Sequence, residues 1–227
     1  MKSSAKDGRA STARRKRTSP VNPPQQERSE ATLARILNVV ETMVDSGRYE
    51  SATVSEIVRR ARCSVGAFYG RFADKDAALY SLYDARCRKL EVSVASALDI
   101  DSTLAELLDD IIVRLVDLLV DHAFDNAAFI RAERFVSVSN SGEPFWRRAI
   151  EMNAKILAAI EAILKQKKSE MRHPDEKTAA LMFLSIVGGL SRDVVTVGGR
   201  LGGKTKIDKV GYKREILRAA RGYLGMN

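Results

Sequence analysis

From residue 29 onward, apolar side chains recur at three- and four-residue steps nearly everywhere, a period that one face of an α-helix satisfies and a β-strand does not. Leu33, Ile36, Leu37, Val40, Met43 and Val44 form one such stripe, and Gly47 ends it. Thr53 stands where an N-cap belongs, Glu56 completes a capping box, and Val54, Ile57, Val58 and Ala61 form a second, shorter stripe. Only Arg62, Cys63 and Ser64 separate it from a third helical turn that carries Phe68 and Phe72 inward. Two short helices joined by so tight a turn make a helix-turn-helix.

A larger helical block follows. Leu79, Leu82, Tyr83, Cys87, Leu90 and Val94 form a long stripe, and a second runs from Leu104 through Leu107, Leu108, Ile111, Leu115 and Leu119. Phe129 to Val138, a long helix from Pro144, Ala179 to Leu190 and Lys213 to Leu224 complete the set. The expected fold is all-α. It divides into a disordered basic tail (1–28), a three-helix DNA-binding unit (29–75) and a larger helical domain (76–227). Ala179 to Leu190 is apolar almost all round, with Ser185, Gly188 and Gly189 inside it, which suits close approach of a second subunit.

Charge sharpens the picture. The net charge is +9, and residues 1–28 hold eight Lys or Arg against Asp7 and Glu27, so most of the excess sits in the tail. The tail is rich in Ser, Pro and Gln, and reads either as a solubilising leader or as an arm that follows DNA phosphates. No run of about 20 uncharged residues is present to span a bilayer, since Arg114 and Asp117 interrupt Ile111 to Val120. The N-terminus lacks the apolar region of a secretory signal, so a cytoplasmic location is expected, with no membrane partner. Cys63 and Cys87, with only His122 and His173 to help, fit neither a disulfide framework nor a metal site, so free thiols and no metal or other cofactor are expected.

The segment from Thr53 to Leu79 resembles the DNA-binding segment of the tetracycline-repressor (TetR) family. The match covers 27 continuous residues: the Thr that starts the second helix, the tight turn, a Gly66-x-x-Tyr69-x-x-Phe72 pattern and Lys75 at the start of the fourth helix. The resemblance implies base reading by the first turn of the recognition helix and phosphate contacts from Thr53, Tyr69 and Lys75. The residues themselves agree with this. Val65, Gly66 and Ala67 are small enough to let a helix axis approach base edges, Ser55 and Ser64 can hydrogen-bond bases or phosphates, and Arg71 is cationic. Arg62 takes the turn position where the family usually has Gly, Arg71 replaces its His, and Gly70 replaces a bulky aromatic residue. A side chain at the turn costs on the order of 1 kcal/mol.

By the same resemblance, the chain is expected to be a homodimeric transcriptional regulator, most often a repressor, on an inverted-repeat operator in double-stranded DNA. Its C-terminal helices would enclose a small-molecule effector, with Asp76 to Leu98 as the lever that moves the recognition helices. Phe124, Phe129, Phe135, Trp146, Met152 and Phe183 are the large apolar candidates for that pocket. The subunit contact is expected in Asp175 to Val197 and Lys213 to Leu224.

Three other classes compete. Gly198 to Thr205 satisfies the G-x-x-x-x-G-K-[ST] pattern of a phosphate-binding loop, with Val194 to Val197 as a possible preceding strand. Only 22 residues follow Thr205, too few for the parallel sheet that such a loop requires. An enzyme built on a helical bundle would need convergent acid and base groups, and the Glu133/Arg134 and Asp121/His122 pairs are isolated. A constitutive DNA-architectural protein has little use for so large a second helical domain.

Overall fold

The computed structural model describes residues 25–138, 142–199 and 206–226, and every described element is helical. Eleven α-helices follow in order: α1 (Gln25–Asp45), α2 (Val54–Ala61), α3 (Val65–Tyr69), α4 (Lys75–Ala97), α5 (Ile100–Thr103), α6 (Leu108–Asp125), α7 (Ala127–Ser137), α8 (Glu143–Gln166), α9 (Glu176–Leu184), α10 (Leu190–Thr196) and α11 (Lys209–Leu224). Residues 25–28, part of the expected tail, form the first turn of α1, while residues 1–24 lie outside the described region.

The amphipathic stripes account for the N-terminal unit. Ile36, Val40, Met43 and Val44 of α1 are buried against Ile57, Val58 and Ala61 of α2, and Phe68 and Phe72 close the same core. Thr53 caps α2 by accepting the Glu56 N–H at 3.2 Å, but the other half of the capping box is not made. The Glu56 carboxylate pairs instead with Arg60, one turn on, at 2.5 Å. Arg62 leaves α2 with φ 51° and ψ 49°, the left-handed conformation that its place in the turn demands. Its N–H reaches the Arg59 carbonyl at 3.3 Å and the Cys63 N–H that of Val58 at 3.2 Å, so the last carbonyls of α2 are satisfied.

In the larger unit, α6 runs through the core and buries Leu108, Ile111, Ile112, Leu115, Val116, Leu119 and Val120. It does not begin at Leu104: Leu104 and Leu107 are 65% and 64% exposed, and a separate short α5 precedes them. Two side chains hold the chain away from helix here. The Lys167 ammonium donates to the carbonyls of Leu104 (2.9 Å) and Glu106 (2.6 Å), and the Glu170 carboxylate accepts the Leu108 N–H at 2.6 Å, which caps α6. Helix α4 packs on α1, α6 and α8 and joins the two units.

Helices α9 and α10 are continuous through a π turn, Ser185–Gly189. The whole run from Glu176 to Thr196 is long and apolar enough to cross a membrane by length and composition. In this fold its Ala179, Ala180, Phe183, Val187, Ser191 and Val194 are buried, and the run packs on α6, α8 and α11. Val194 to Val197, the possible strand of the phosphate-loop pattern, lies in α10 and its C-terminal cap. Residues 200–205 of that pattern lie outside the described region.

Candidate nucleic-acid interface and cavity

Helix α3 has only five residues, and side chains on either side hold it in place. Ser64 caps it by accepting the Ala67 N–H at 3.0 Å, which leaves the hydroxyl proton free to donate. Phe68 is its buried anchor, and Tyr69 packs edge-on against that ring at 5.5 Å. The opposite face is bare: Val65 and Tyr69 are 53% and 54% exposed, and Thr53, Ser55, Ser64 and Gly66 are exposed beside them, with Ala67 half-buried. A methyl group placed on Gly66 would meet no atom within 4 Å, so the fold does not require glycine there. A partner that must come close to the backbone would.

The two cationic candidates hold parts of the fold together. Arg71 donates to the Ala67 carbonyl (2.6 Å) and to the Ser29 hydroxyl (2.7 Å), tying the end of α3 to the start of α1. The Lys75 ammonium donates to the carbonyls of Tyr49 (3.2 Å), Glu50 (2.9 Å) and Ala52 (3.1 Å) and lies 4.9 Å from the centre of the Tyr49 ring. It therefore pins the α1–α2 loop. Nearby, the Tyr49 hydroxyl donates to Asp76 at 2.6 Å, and burial with that bond holds the phenol far above its usual range of ionisation. Arg59 and Arg62 are exposed and, among the described residues, have no ion-pair partner.

A cavity of about 490 Å³ lies between α4, α6, α7, α8 and the α9–α10 run. Tyr83, Leu119, Phe129, Ile156 and Leu157 make its apolar walls, and Ser185, Gly188 and Gly189 line it through the π turn. Such turns widen a helix and occur often at functional sites. The small residues expected at a subunit contact thus stand on the cavity wall. Of the six large apolar candidates, Phe129 and Met152 line it. Phe183 is fully buried in the core, Phe124 packs on Tyr212 at 5.6 Å, and Phe135 and Trp146 are half-exposed on the outer surface.

The polar wall residues were not singled out in the sequence as cavity residues: Arg86, His122, Asn126, Glu133, Asn153 and Arg192. Arg86 covers the Phe129 ring at 4.0 Å and donates to Asn126 (3.0 Å) and to Glu41 of α1 (2.6 Å). His122 is pushed down to about 4, mainly by burial and further by the positive charges of Arg86 and Arg192, so the imidazole is neutral at pH 7. A polar residue inside an apolar stripe, such as Arg192 after the run from Ala179, was the one signal available.

Residues 47–79 match the family of bacterial regulatory proteins described as the tetR family. No curated protein matches the chain in sequence. Among solved structures, a tetR-family regulatory protein from Rhodococcus RHA1 is 20% identical with a TM-score of 0.65, covering 86% of this chain and 98% of its own. PfmR of the TetR family from Thermus thermophilus is 21% identical (TM-score 0.59; 81% of this chain, 97% of its own). The transcriptional regulator FadR from Bacillus subtilis, solved in complex with stearoyl-CoA, is 14% identical (TM-score 0.60; 82% and 96%).

Proposed function

We propose that this chain, which carries the helix-turn-helix of the tetR family of bacterial regulatory proteins and has the fold of its solved members, is a homodimeric transcriptional repressor that a small apolar ligand releases from an inverted-repeat operator. The face of Val65, Gly66, Ala67 and Tyr69 meets base edges and sugar-phosphate in the major groove, with Thr53, Ser55 and Ser64 donating hydrogen bonds. Arg71 and Lys75 serve this face by holding α3 and the α1–α2 loop in register. The exposed Arg59 and Arg62 supply charge toward phosphate.

The observation that carries the ligand half is Arg86. It stands on the cavity wall against Phe129, yet its guanidinium also holds Glu41 of α1, inside the DNA-binding unit. A ligand seated against Phe129 acts on the same side chain that fixes α1 relative to α4. Ligand and operator must favour different arrangements of that joint, because a ligand with equal affinity for both would shift nothing. A constitutive architectural protein has no use for such a cavity.

The test is selection of bound fragments from random double-stranded DNA by the full chain. Enrichment of an inverted repeat, with half-sites about one helical turn apart, is the expected result. Recovery of fragments with no common sequence would overturn the reading.

A further inference from the structure

The charges on the cavity wall are not all accounted for. Arg86 is engaged by Glu41 and Asn126, and Glu133 accepts the Ser137 hydroxyl at 2.7 Å. Arg192 is different. It is half-buried on the cavity wall, and its guanidinium has no carboxylate or hydrogen-bond partner among the described residues. The carboxylate next to it in sequence, Asp193, is taken by Arg134 at 3.0 Å. His122 opens on the same cavity, and its ring likewise has no hydrogen-bond partner among the described residues. The wall's one carboxylate, Glu133, is not paired with it, and a guanidinium held partly out of water beside an apolar wall without a bonded counter-ion is stabilised when an anion arrives.

We infer that the ligand of this cavity is an organic acid, with an apolar body against Tyr83, Phe129 and Leu157 and a carboxylate that pairs with Arg192 and accepts a hydrogen bond from His122. The inference rests on reading the cavity as an effector site and adds the ligand's chemical class. Arg192 suits a carboxylate because its planar fork can donate two parallel hydrogen bonds. Burial, and after it the positive charges of Arg86, Arg192 and Lys89 against Asp125, keep the ring of His122 neutral, so that it donates one N–H without adding a charge.

The experiment titrates the full chain with three matched probes, dodecanoate, dodecanamide and dodecylamine, by calorimetry below their micelle-forming concentrations. Dodecanoate is expected to bind on the order of tenfold or more tighter than the amide. Arg192→Gln should bring the two within about twofold, and Arg192→Lys should restore part of the preference. Thermal melts of the variants show that the fold persists. Equal affinity for acid and amide in the unmodified chain, or a preference for the amine, overturns the inference and leaves the effector reading standing. Tight, Arg192-dependent binding of dodecanoate with no effect on DNA affinity supports the ligand class and defeats the effector reading. Failure of all three probes to bind overturns the inference.

Discussion

At the scale of single residues, two positions separate what the fold needs from what a ligand or DNA needs. Gly66 has ordinary helical geometry and open space around it, so Gly66→Leu should leave the thermal melt within a degree or two. The same change puts a branched side chain between α3 and the base edges, and operator affinity should fall by on the order of a hundredfold or more in a mobility-shift titration. His122 is the second position. The unfolded chain takes up this proton near pH 6.5, the folded chain only near 4. The stabilising contribution of the neutral ring is therefore complete above pH 6.5, declines as the pH falls through 6.5 to 4, and is constant below that. The loss amounts to about 3 kcal/mol over that window. Urea titrations of His122→Gln should show a flatter pH dependence than the unmodified chain between pH 6.5 and 4, and parallel curves would refute the assignment.

At the scale of elements, α4 is the joint of the molecule. Toward α8 it is clamped by Arg148, nearly fully buried, whose guanidinium donates to Asp84 and Glu91 at 2.6 Å each, with Lys155 reaching Glu91 at 3.0 Å. Burial, the largest single influence, opposes the ionised form of both carboxylates, but Arg148 together with Arg88 at Asp84 and with Lys155 at Glu91 outweighs it and holds them below their usual range. Toward α1 the joint is Arg86 and Glu41, less buried and held by a single pair. The start of α4 is fixed separately, to the α1–α2 loop, by Lys75 and Asp76, so the Arg86–Glu41 pair is the lighter tie to α1 itself. Arg86→Met keeps most of the packing on Phe129 but loses the bond to Glu41. It should bind ligand within a few-fold of the unmodified protein while DNA affinity responds at least fivefold less to that ligand. An undiminished response would place the coupling elsewhere.

For the whole molecule, the proposed homodimer requires a surface through which two copies of the chain can associate. On the α9–α10 run, Leu181, Ser185, Gly188 and Arg192 line the cavity, while Met182, Ile186 and Leu190 do not. Met182 and Leu190 are exposed and Ile186 is half-buried, an apolar stripe beside the buried face of Phe183 and Val187. Helix α11 packs on this run, but its outer positions Arg214, Glu215 and Arg218 pair with one another. The apolar share of a dimer contact would therefore come from α9 and α10 more than from α11. Leu190→Glu should give a monomer in sedimentation at micromolar concentration, with dodecanoate binding retained and operator binding lost. A variant that remains dimeric would move the contact away from this stripe.

The sequence alone determined most of the helices and their inward faces, because the 3.6-residue period and the cap at Thr53 are local properties of neighbouring residues. It also placed the helix-turn-helix, and at the turn position where the resemblance implies Gly the structure holds Arg62 in the left-handed conformation. Side chains that act across the fold were not legible. Lys75 and Arg71 read as phosphate ligands from their charge, and the packed structure adds that Lys75 donates to the carbonyls of the α1–α2 loop and Arg71 to Ala67 and Ser29, bonds that charge alone does not reveal. Leu104 and Leu107 fit the stripe of α6, yet Lys167 and Glu170, some sixty residues away, stop that helix short of them. The cavity was beyond reach for the same reason. Aromatic size does not say which way a ring faces, so Phe135 and Trp146 went outward, while Arg86, His122 and Arg192 came to one wall from three different helices. Periodicity determines which face of a helix is apolar, but which face meets which neighbour, and what empty space is left between them, is decided only when all the helices pack at once.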